Sequence, residues 1–391
     1  GTATWGQPYG SMAKAVAQAY VDYAAATHPA DLWLMLGDNA YYQGFDHEYQ
    51  KCMYDVYQAV LPSTPVWSTI GNHEAYSFIP NGPFPFYEVF NPPGAGDSGA
   101  VASGTRKYYS FDYANIHFVN LDSMLSDRST NGPMWQWLQQ DLAANTNDWL
   151  IAFWHHPPYS KGNHDSDNLD GQDPELVAMR ENFLPLLEAY GADLVLAGHS
   201  HTYERSYLLS GHYGYSRTLV PQMILDAGSG RPNDTGAYRK TRRGPSPNQG
   251  TGYVVAGCAG STTGGTLNHP AMFVSLNELG SLVLDVDQQR LDGRFVRETG
   301  AIDDQFTLLK GVPFEPLRMV GTHLDGHVLT LRWKSRVGRI YQVERATSVA
   351  APAWVPISLP ITASGLTTSW TLPVNAAEGP AIFRVVFLGE L

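Results

Sequence analysis

From Leu32 to about Lys310, short apolar runs alternate with stretches whose apolar positions recur at helical spacing. That alternation predicts a layered α/β domain, with ligand-binding groups gathered where strands end. Ser11 to Ala26 predicts a helix, Asp31 to Leu36 (DLWLML) a buried strand, His47 to Ala59 a helix and Val66 to Ile70 (VWSTI) a strand. KYYSFDY and NIHFVNLDS predict paired strands, WQWLQQDLAAN a helix, and Asp148 to Trp154 another buried strand. Pro174 to Tyr190 predicts a helix leading into ADLVLAG. Beyond Tyr203 the pattern becomes strands with long Gly-rich connections, which predicts a second sheet and surface loops over Gly228 to Gly252. The texture changes again near Val312 to Leu317: VLTLRW, IYQVERA, TTSWTLP and AIFRVVF read as short alternating strands. Residues 1–312 are therefore expected to form one large unit and residues 313–391 a small β-sandwich.

Two units also suit the length, because 391 residues exceed what a single core usually fills. Hydrophobic residues make up 43% and charged residues 16%, a balance that fills a core and argues against global disorder. The formal net charge of −12 opposes a nonspecific grip on nucleic acid or on an anionic membrane. Any phosphate binding must then be local, and a metal cluster supplies local positive charge on an acidic surface. No apolar run is long enough to span a bilayer, and the opening GTATWGQPYGS has neither a charged nor an apolar leader region. Cys52 and Cys258 leave two readings open, a single bridge or two buried thiols.

Four expected strand ends are followed by polar clusters: GDNAY (Gly37 to Tyr41), GNHE (Gly71 to Glu74), HHPPY (His155 to Tyr159) and GHSHTYER (Gly198 to Arg205). In an open α/β sheet such clusters converge beyond the carboxyl ends of the strands, here expected at one sheet edge. Carboxylate, phenolate, amide oxygen and imidazole together suit ferric iron paired with zinc, iron or manganese better than a thiolate site does. Two cations about 3.5–4 Å apart clamp a phosphate and lower the pKa of a bound water. Bridging them calls for an oxygen ligand with two lone-pair faces, and Asp38 is the candidate.

In this order, GDxxY, GNHE, H-x-P and GHxHxYER resemble the purple acid phosphatase branch of the calcineurin-like metallophosphoesterases, over roughly residues 1 to 310. The resemblance implies a four-layer α/β/β/α metallophosphoesterase sandwich with the small C-terminal β-sandwich appended. It implies a dinuclear centre of Fe(III) with Zn(II), Fe(II) or Mn(II), in which Asp38 bridges, Tyr41 and His201 bind the ferric metal, and Asn72, His155 and His199 hold the divalent one. A ferric tyrosinate at Tyr41 would colour the protein, while Tyr42 packs. His73 would face the substrate and stabilise phosphate or protonate the leaving oxygen. His156 would stand behind the ligands, and His164, in KGNHDSD, is open between a substrate contact and a solvated loop histidine. The family's D-x-G aspartate has no counterpart; Gly1 fits the motif's glycine, which would put that aspartate two positions earlier. The implied activity is hydrolysis of small phosphate monoesters, outside the cytoplasm. A phosphodiesterase or nucleotide hydrolase with the same metals, and a binding module without turnover, are the alternatives.

Other candidates read as structural. His117, among alternating strand residues, is expected to be a hydrogen-bonded structural histidine rather than a ligand, and His28, His47, His212, His269, His323 and His327 receive the same reading. Glu204 and Arg205 suit either support of the metal loop or a surface ion pair, and RKTRR (Arg239 to Arg243) suits a solvated loop. Trp333, Tyr341, Trp354 and Trp370 suit the core of the tail sandwich.

Overall fold

The structure is a computed structural model that describes residues 10–95, 99–311, 317–335, 339–348, 352–374 and 381–390. The chain begins with α1 (Ser11–Ala26), β1 (Trp33–Met35), α2 (Asp46–Tyr49), β2 (Val66–Ser68), α3 (Asn72–Ala75) and α4 (Pro85–Phe90). It continues through β3 (Tyr109–Tyr113), β4 (Ile116–Asn120), α5 (Pro133–Ala144), β5 (Trp149–Trp154), α6 (Pro174–Asn182), α7 (Leu184–Ala189) and β6 (Leu194–Ala197). Next come β7 (Tyr203–Ser206), β8 (Leu208–Leu209), β9 (Ile224–Asp226), β10 (Tyr238–Lys240), β11 (Gly252–Ala256) and β12 (Met272–Leu276). A meander of β13 (Gly280–Asp287), β14 (Arg290–Arg297) and β15 (Ile302–Lys310) follows.

These elements stack as α/β/β/α. The inner layers are a seven-stranded sheet, in the order β12-β7-β11-β6-β5-β4-β3, and a facing layer made of β1-β2 and of β10-β15-β14-β13. Phe111, Phe118 and Ile151 of the first sheet meet Phe295, Phe306 and Leu308 of the second in one apolar interlayer. On the outer face of the seven-stranded sheet, Leu138 of α5, Met179 of α6 and Leu187 of α7 pack over Leu150, Ala152 and Val195. On the opposite outside, α1 packs on β13 and β14 and shares a cluster with Met35, Tyr49 and Met53. The central strands β5 and β6 are buried along their whole length, which explains why they read as unbroken apolar runs.

Several expectations are revised. The segment expected as one helix from His47 is α2, a π-helical turn over Gln50–Tyr54, and turns beyond it. The expected helix Pro174 to Tyr190 breaks into α6 and α7, because Pro185 has no N–H to donate and crowds the carbonyl four residues earlier. Gly228 to Gly252 is not all surface loop, and Lys240 of RKTRR is not solvated. Tyr238 and Lys240 are buried in β10, where the Lys240 ammonium lies 2.7 Å from Asp193 Oδ1 and Lys310 Nζ lies 3.0 Å from Asp193 Oδ2. Burial depresses the Lys240 amine to about 8, with Asp193 opposing that shift.

The two cysteines are both buried and no disulfide joins them, and burial pushes the Cys258 thiol up to about 12. The expected boundary at residue 312 lies outside the described residues, as does Gly1 with its D-x-G context. Beyond it, β16 (Met319–Asp325), β17 (Val328–Lys334) and β21 (Thr367–Pro373) form one sheet. In the other, β18 (Arg339–Ala346) pairs with β19 (Val355–Pro356), β20 (Ile361–Thr362) and β22 (Ile382–Glu390). Leu331, Trp333, Tyr341 and Val343 form a core there, and Trp370 packs against it. Trp354 carries the Arg384 guanidinium 4.4 Å above its ring.

Candidate metal centre

Four strand ends deliver the polar clusters. β1 runs into Gly37 and Asp38, whose φ angles of 84° and 54° reverse the chain above the strand end. Gly37 answers two demands there: its φ is left-handed, and a Cβ would lie 2.6 Å from His155 Nδ1. β2 leads through Gly71 into the single turn of α3, and a Cβ on Gly71 would lie 2.2 Å from Asp38 Oδ1, so the missing side chain lets the two loops touch. β5 ends at His155 and His156, and β6 at Gly198, followed by His199 with φ 62° and then His201. The clusters do meet, but not at one sheet edge as expected. β1 and β2 lie in a different layer from β5 and β6, and the side chains converge between the carboxyl ends of both layers.

His155 Nδ1 is 2.7 Å from the Leu36 carbonyl, which only accepts, so that nitrogen carries the proton. Its Nε2 therefore faces Asn72 Oδ1 at 3.0 Å, His199 Nδ1 at 3.1 Å and Asp38 Oδ2 at 3.2 Å. His199 Nδ1 is itself 3.0 Å from Asn72 Oδ1. The Tyr41 hydroxyl donates to Asp38 Oδ2 at 3.0 Å and sits 3.3 Å from His201 Nε2. His199 Nε2 and His201 Nδ1 are buried with no hydrogen-bond partner among the described residues. Two imidazoles, an amide oxygen and a carboxylate thus point lone pairs at one another with few protons between them, an arrangement that a cation stabilises. Asp38, Tyr41, Asn72, His155, His199 and His201 form one continuous set of contacts, and the Cys52 thiol lies behind it, donating to the Tyr41 carbonyl at 3.9 Å.

The electrostatics favour the same use. Burial depresses the imidazoles of His199 and His201, to about 4 and about 3, which keeps both neutral and able to ligate. Burial also acts against a charged His155 and against a charged Asp38. For each, the attraction of the other outweighs it, so His155 is raised and Asp38 is held well below the usual carboxylate range. Burial, then the Asp38 carboxylate, pushes the Tyr41 phenol well up, a balance that a bound cation reverses.

His73 donates its backbone N–H to Asp38 Oδ1 at 2.9 Å and its Nδ1–H to the Tyr42 carbonyl at 2.7 Å, with its ring 4.2 Å from that of Tyr41. His164 has its ring 3.7 Å from the His199 ring and its Nδ1 2.8 Å from Asp173 Oδ2. His156 lies behind, with its ring 4.3 Å from that of His199 and Nδ1 2.8 Å from Ser123 Oγ. His117 is held between Asp112 and Asp141 at 2.6 and 2.9 Å, and His212 and His269 are buried beside Tyr159. Arg205 is not in a surface ion pair: it is buried against Asp304. Glu204 is buried too, accepting from Ser160 Oγ, the Lys161 N–H and Thr202 Oγ1.

Sequence reasoning passed over Glu74 and Asp173. Glu74 is fully buried and accepts the backbone N–H groups of Gly71, Asp38, Asn39 and Ala40 at 2.6–3.1 Å, which clamps the first loop to the second. Its signal was present in GNHE, where a glutamate three residues into a helix turn reaches back to the cap. Burial and then the Asp38 carboxylate raise Glu74 to about 7, while the Gly71 and Asn39 N–H groups and the His155 charge pull the other way. Glu74→Gln replaces one acceptor oxygen with an NH2 that faces these donors. The variant is expected to bind metal about 10–100-fold more weakly, as loss of a group supporting the ligands does; calorimetric metal titration equal to that of the parent chain would contradict this. Asp173, 3.5 Å from His199 Nε2, comes from the loop ahead of α6 and carried no motif.

Comparison with known proteins follows the same lines. The family model for calcineurin-like phosphoesterases matches residues 12–203. Purple acid phosphatase 15 of Arabidopsis thaliana is 30% identical over 204 residues, 45% of this chain and 36% of that protein. Purple acid phosphatase 18 of the same plant is 32% identical over 222 residues, 55% of this chain and 46% of that protein. The chain therefore spans less than half the length of these relatives. Among solved structures, a purple acid phosphatase from yellow lupin (Lupinus luteus) seeds superposes with a TM-score of 0.56 at 19% identity, over 76% of this chain and 49% of that one, a likeness of fold.

Proposed function

We infer that this chain, whose residues 12–203 carry a calcineurin-like phosphoesterase domain related to the purple acid phosphatases, hydrolyses small phosphate monoesters with the help of a dinuclear metal centre. The observation that carries this reading is the meeting of His155 Nε2, His199 Nδ1 and Asn72 Oδ1 within 3.0–3.1 Å, with Asp38 Oδ2 3.2 Å from His155. The donor set fits Fe(III) beside Zn(II), Fe(II) or Mn(II). In that assignment Tyr41 and His201 would hold the ferric ion and Asn72, His155 and His199 the divalent ion, with Asp38 available to both. When bound, such a pair polarises phosphoryl oxygens and makes water acidic enough to attack at neutral pH.

The chain's own contribution is positional. Leu36 fixes the ring orientation and tautomer of His155 through its carbonyl, and Glu74 fixes the backbone around Asp38. His73, with Nδ1–H committed to Tyr42, keeps Nε2 for a phosphoryl or leaving-group oxygen. His164, steered by Asp173, is assigned to the substrate side as well. The β-strands beyond residue 317 are read as an accessory module, and the protein as one that works outside the cytoplasm.

Metal-loaded protein is expected to turn over an aryl phosphate, whereas His199→Ala and Asn72→Asp lose both turnover and bound metal by elemental analysis. Equal rates in all three proteins would remove the hydrolase reading, and retained metal without turnover would favour a binding module.

A further inference from the structure

Asp173 stands where a helix begins yet does not serve it. It is the residue ahead of Pro174 at the start of α6, a position where aspartate ordinarily turns its carboxylate onto the first free N–H groups of the helix. Here the side chain makes no such bond. The backbone is nevertheless fixed: the Asp173 N–H donates to Asn168 Oδ1 at 2.7 Å, the Asp173 carbonyl accepts from the Leu176 N–H at 3.3 Å, and Pro174 restricts the chain between them. A carboxylate held in this way and withheld from the nearest helix donors is spent elsewhere.

Two histidines receive it. Oδ2 lies 2.8 Å from His164 Nδ1 and Oδ1 lies 3.5 Å from His199 Nε2. A carboxylate only accepts, so Nδ1 of His164 carries a proton and Nε2 is the nitrogen left over. His199 is constrained from its other side as well. Its Nδ1 sits 3.0 Å from Asn72 Oδ1 and 3.1 Å from His155 Nε2, where a cation would take its lone pair, and that use of Nδ1 puts the ring proton on Nε2. The buried Nε2 has no hydrogen-bond partner among the described residues, and Asp173 Oδ1 stands about 0.5 Å beyond an ordinary N–H···O contact with it. The His199 ring also packs against those of His164, 3.7 Å away, and His156, 4.3 Å away, which limits its freedom to turn toward another acceptor.

We propose, resting on the metal-dependent phosphatase reading above, that Asp173 is a positioning residue for both sides of the centre. Its Oδ1 accepts the Nε2 proton of His199 and thereby presents Nδ1 to the cation. Its Oδ2 fixes His164 with Nε2 free for a phosphoryl oxygen. One carboxylate thus links the affinity for metal to the affinity for phosphate, from a loop outside the four polar clusters.

Zinc titration by chelator competition, orthophosphate binding by calorimetry at saturating zinc, and proton–nitrogen correlation spectra of the imidazole rings test this on the parent chain, Asp173→Asn, His164→Ala and the double variant. Asp173→Asn keeps the shape of the side chain but turns an NH2 toward one of the two rings. It is expected to weaken zinc binding by about 10–100-fold at the site that His199→Ala abolishes. Orthophosphate should bind it about tenfold more weakly, as loss of one hydrogen bond to a charged group implies. His164→Ala should show the phosphate loss with the parent's zinc affinity, and the double variant no phosphate loss beyond that of His164→Ala. In the zinc-loaded parent the spectra should place protons on His199 Nε2 and His164 Nδ1, and Asp173→Asn should shift both signals. Parent-like zinc affinity in Asp173→Asn, additive phosphate losses in the double variant, or a His199 proton on Nδ1 in the zinc-loaded parent would overturn the proposal. So would a zinc ion held by His164, Asp173 and His199 themselves. Ester turnover is read separately: a parent chain that binds zinc and phosphate without hydrolysing an ester fails as a hydrolase, while the affinities still decide the role of Asp173.

Discussion

Asp304→Asn is expected to lower the unfolding free energy at pH 7 by about 3–5 kcal/mol, the usual cost of leaving one member of a buried ion pair without its partner. Asp304 receives Arg205 Nε at 2.5 Å and Nη2 at 2.9 Å, Tyr203 Oη at 2.8 Å and Arg231 Nη2 at 3.2 Å. Arg205 and Asp304 are both buried, so the asparagine variant strands a guanidinium in the interlayer core. The pair also ties β7 of one inner sheet to β15 of the other, beside Tyr203 stacked 4.0 Å over Phe295. Burial raises the Asp304 carboxyl, but the bonds from Arg205 outweigh it and hold the folded-state pKa below the ordinary value. A depressed carboxylate contributes stability above its unfolded pKa of about 3.9 and loses it as pH falls through the folded value. The gap between parent and variant is therefore expected to be full at pH 7 and to narrow below about pH 4. Urea unfolding at pH 7 and pH 3 measures both, and a gap unchanged between them would refute the assignment.

His73→Ala is expected to lower kcat on an alkyl phosphate by about 10²–10⁴-fold, the range over which a positioned general acid acts. The loss should shrink on an aryl phosphate whose phenol is already acidic, since such a leaving group needs little protonation. His73 binds Asp38 through its backbone and Tyr42 through Nδ1, so the alanine variant should retain the parent's metal content. A uniform loss across leaving groups, or loss of metal, would assign His73 a structural role instead.

Much of the layered fold could be read from periodicity. Ser11–Ala26, the β3–β4 pair and the buried β5 and β6 stand where the apolar pattern put them, because burial on one face or on both leaves a direct trace in sequence. The failures lie where a local signal was overridden. Pro185 divides one apolar helical pattern into two helices, and Lys240, read as part of a basic surface run, is buried because Asp193 stands opposite it. At the centre, GDNAY, GNHE, HHPPY and GHSHTYER marked the residues that meet. Their convergence between two layers was not legible, since periodicity says which residues make strands but not which strands share a sheet. Asp173 shows the remaining limit: it reaches His199 from a loop whose position follows from α6, and nothing in its neighbourhood announced it.

Cys52 and Cys258 are both enclosed and no disulfide joins them. Cohesion rests on apolar contact and on enclosed charge pairs such as Arg205 with Asp304. Among the described residues the layers are thus held by contacts that a reductant leaves untouched.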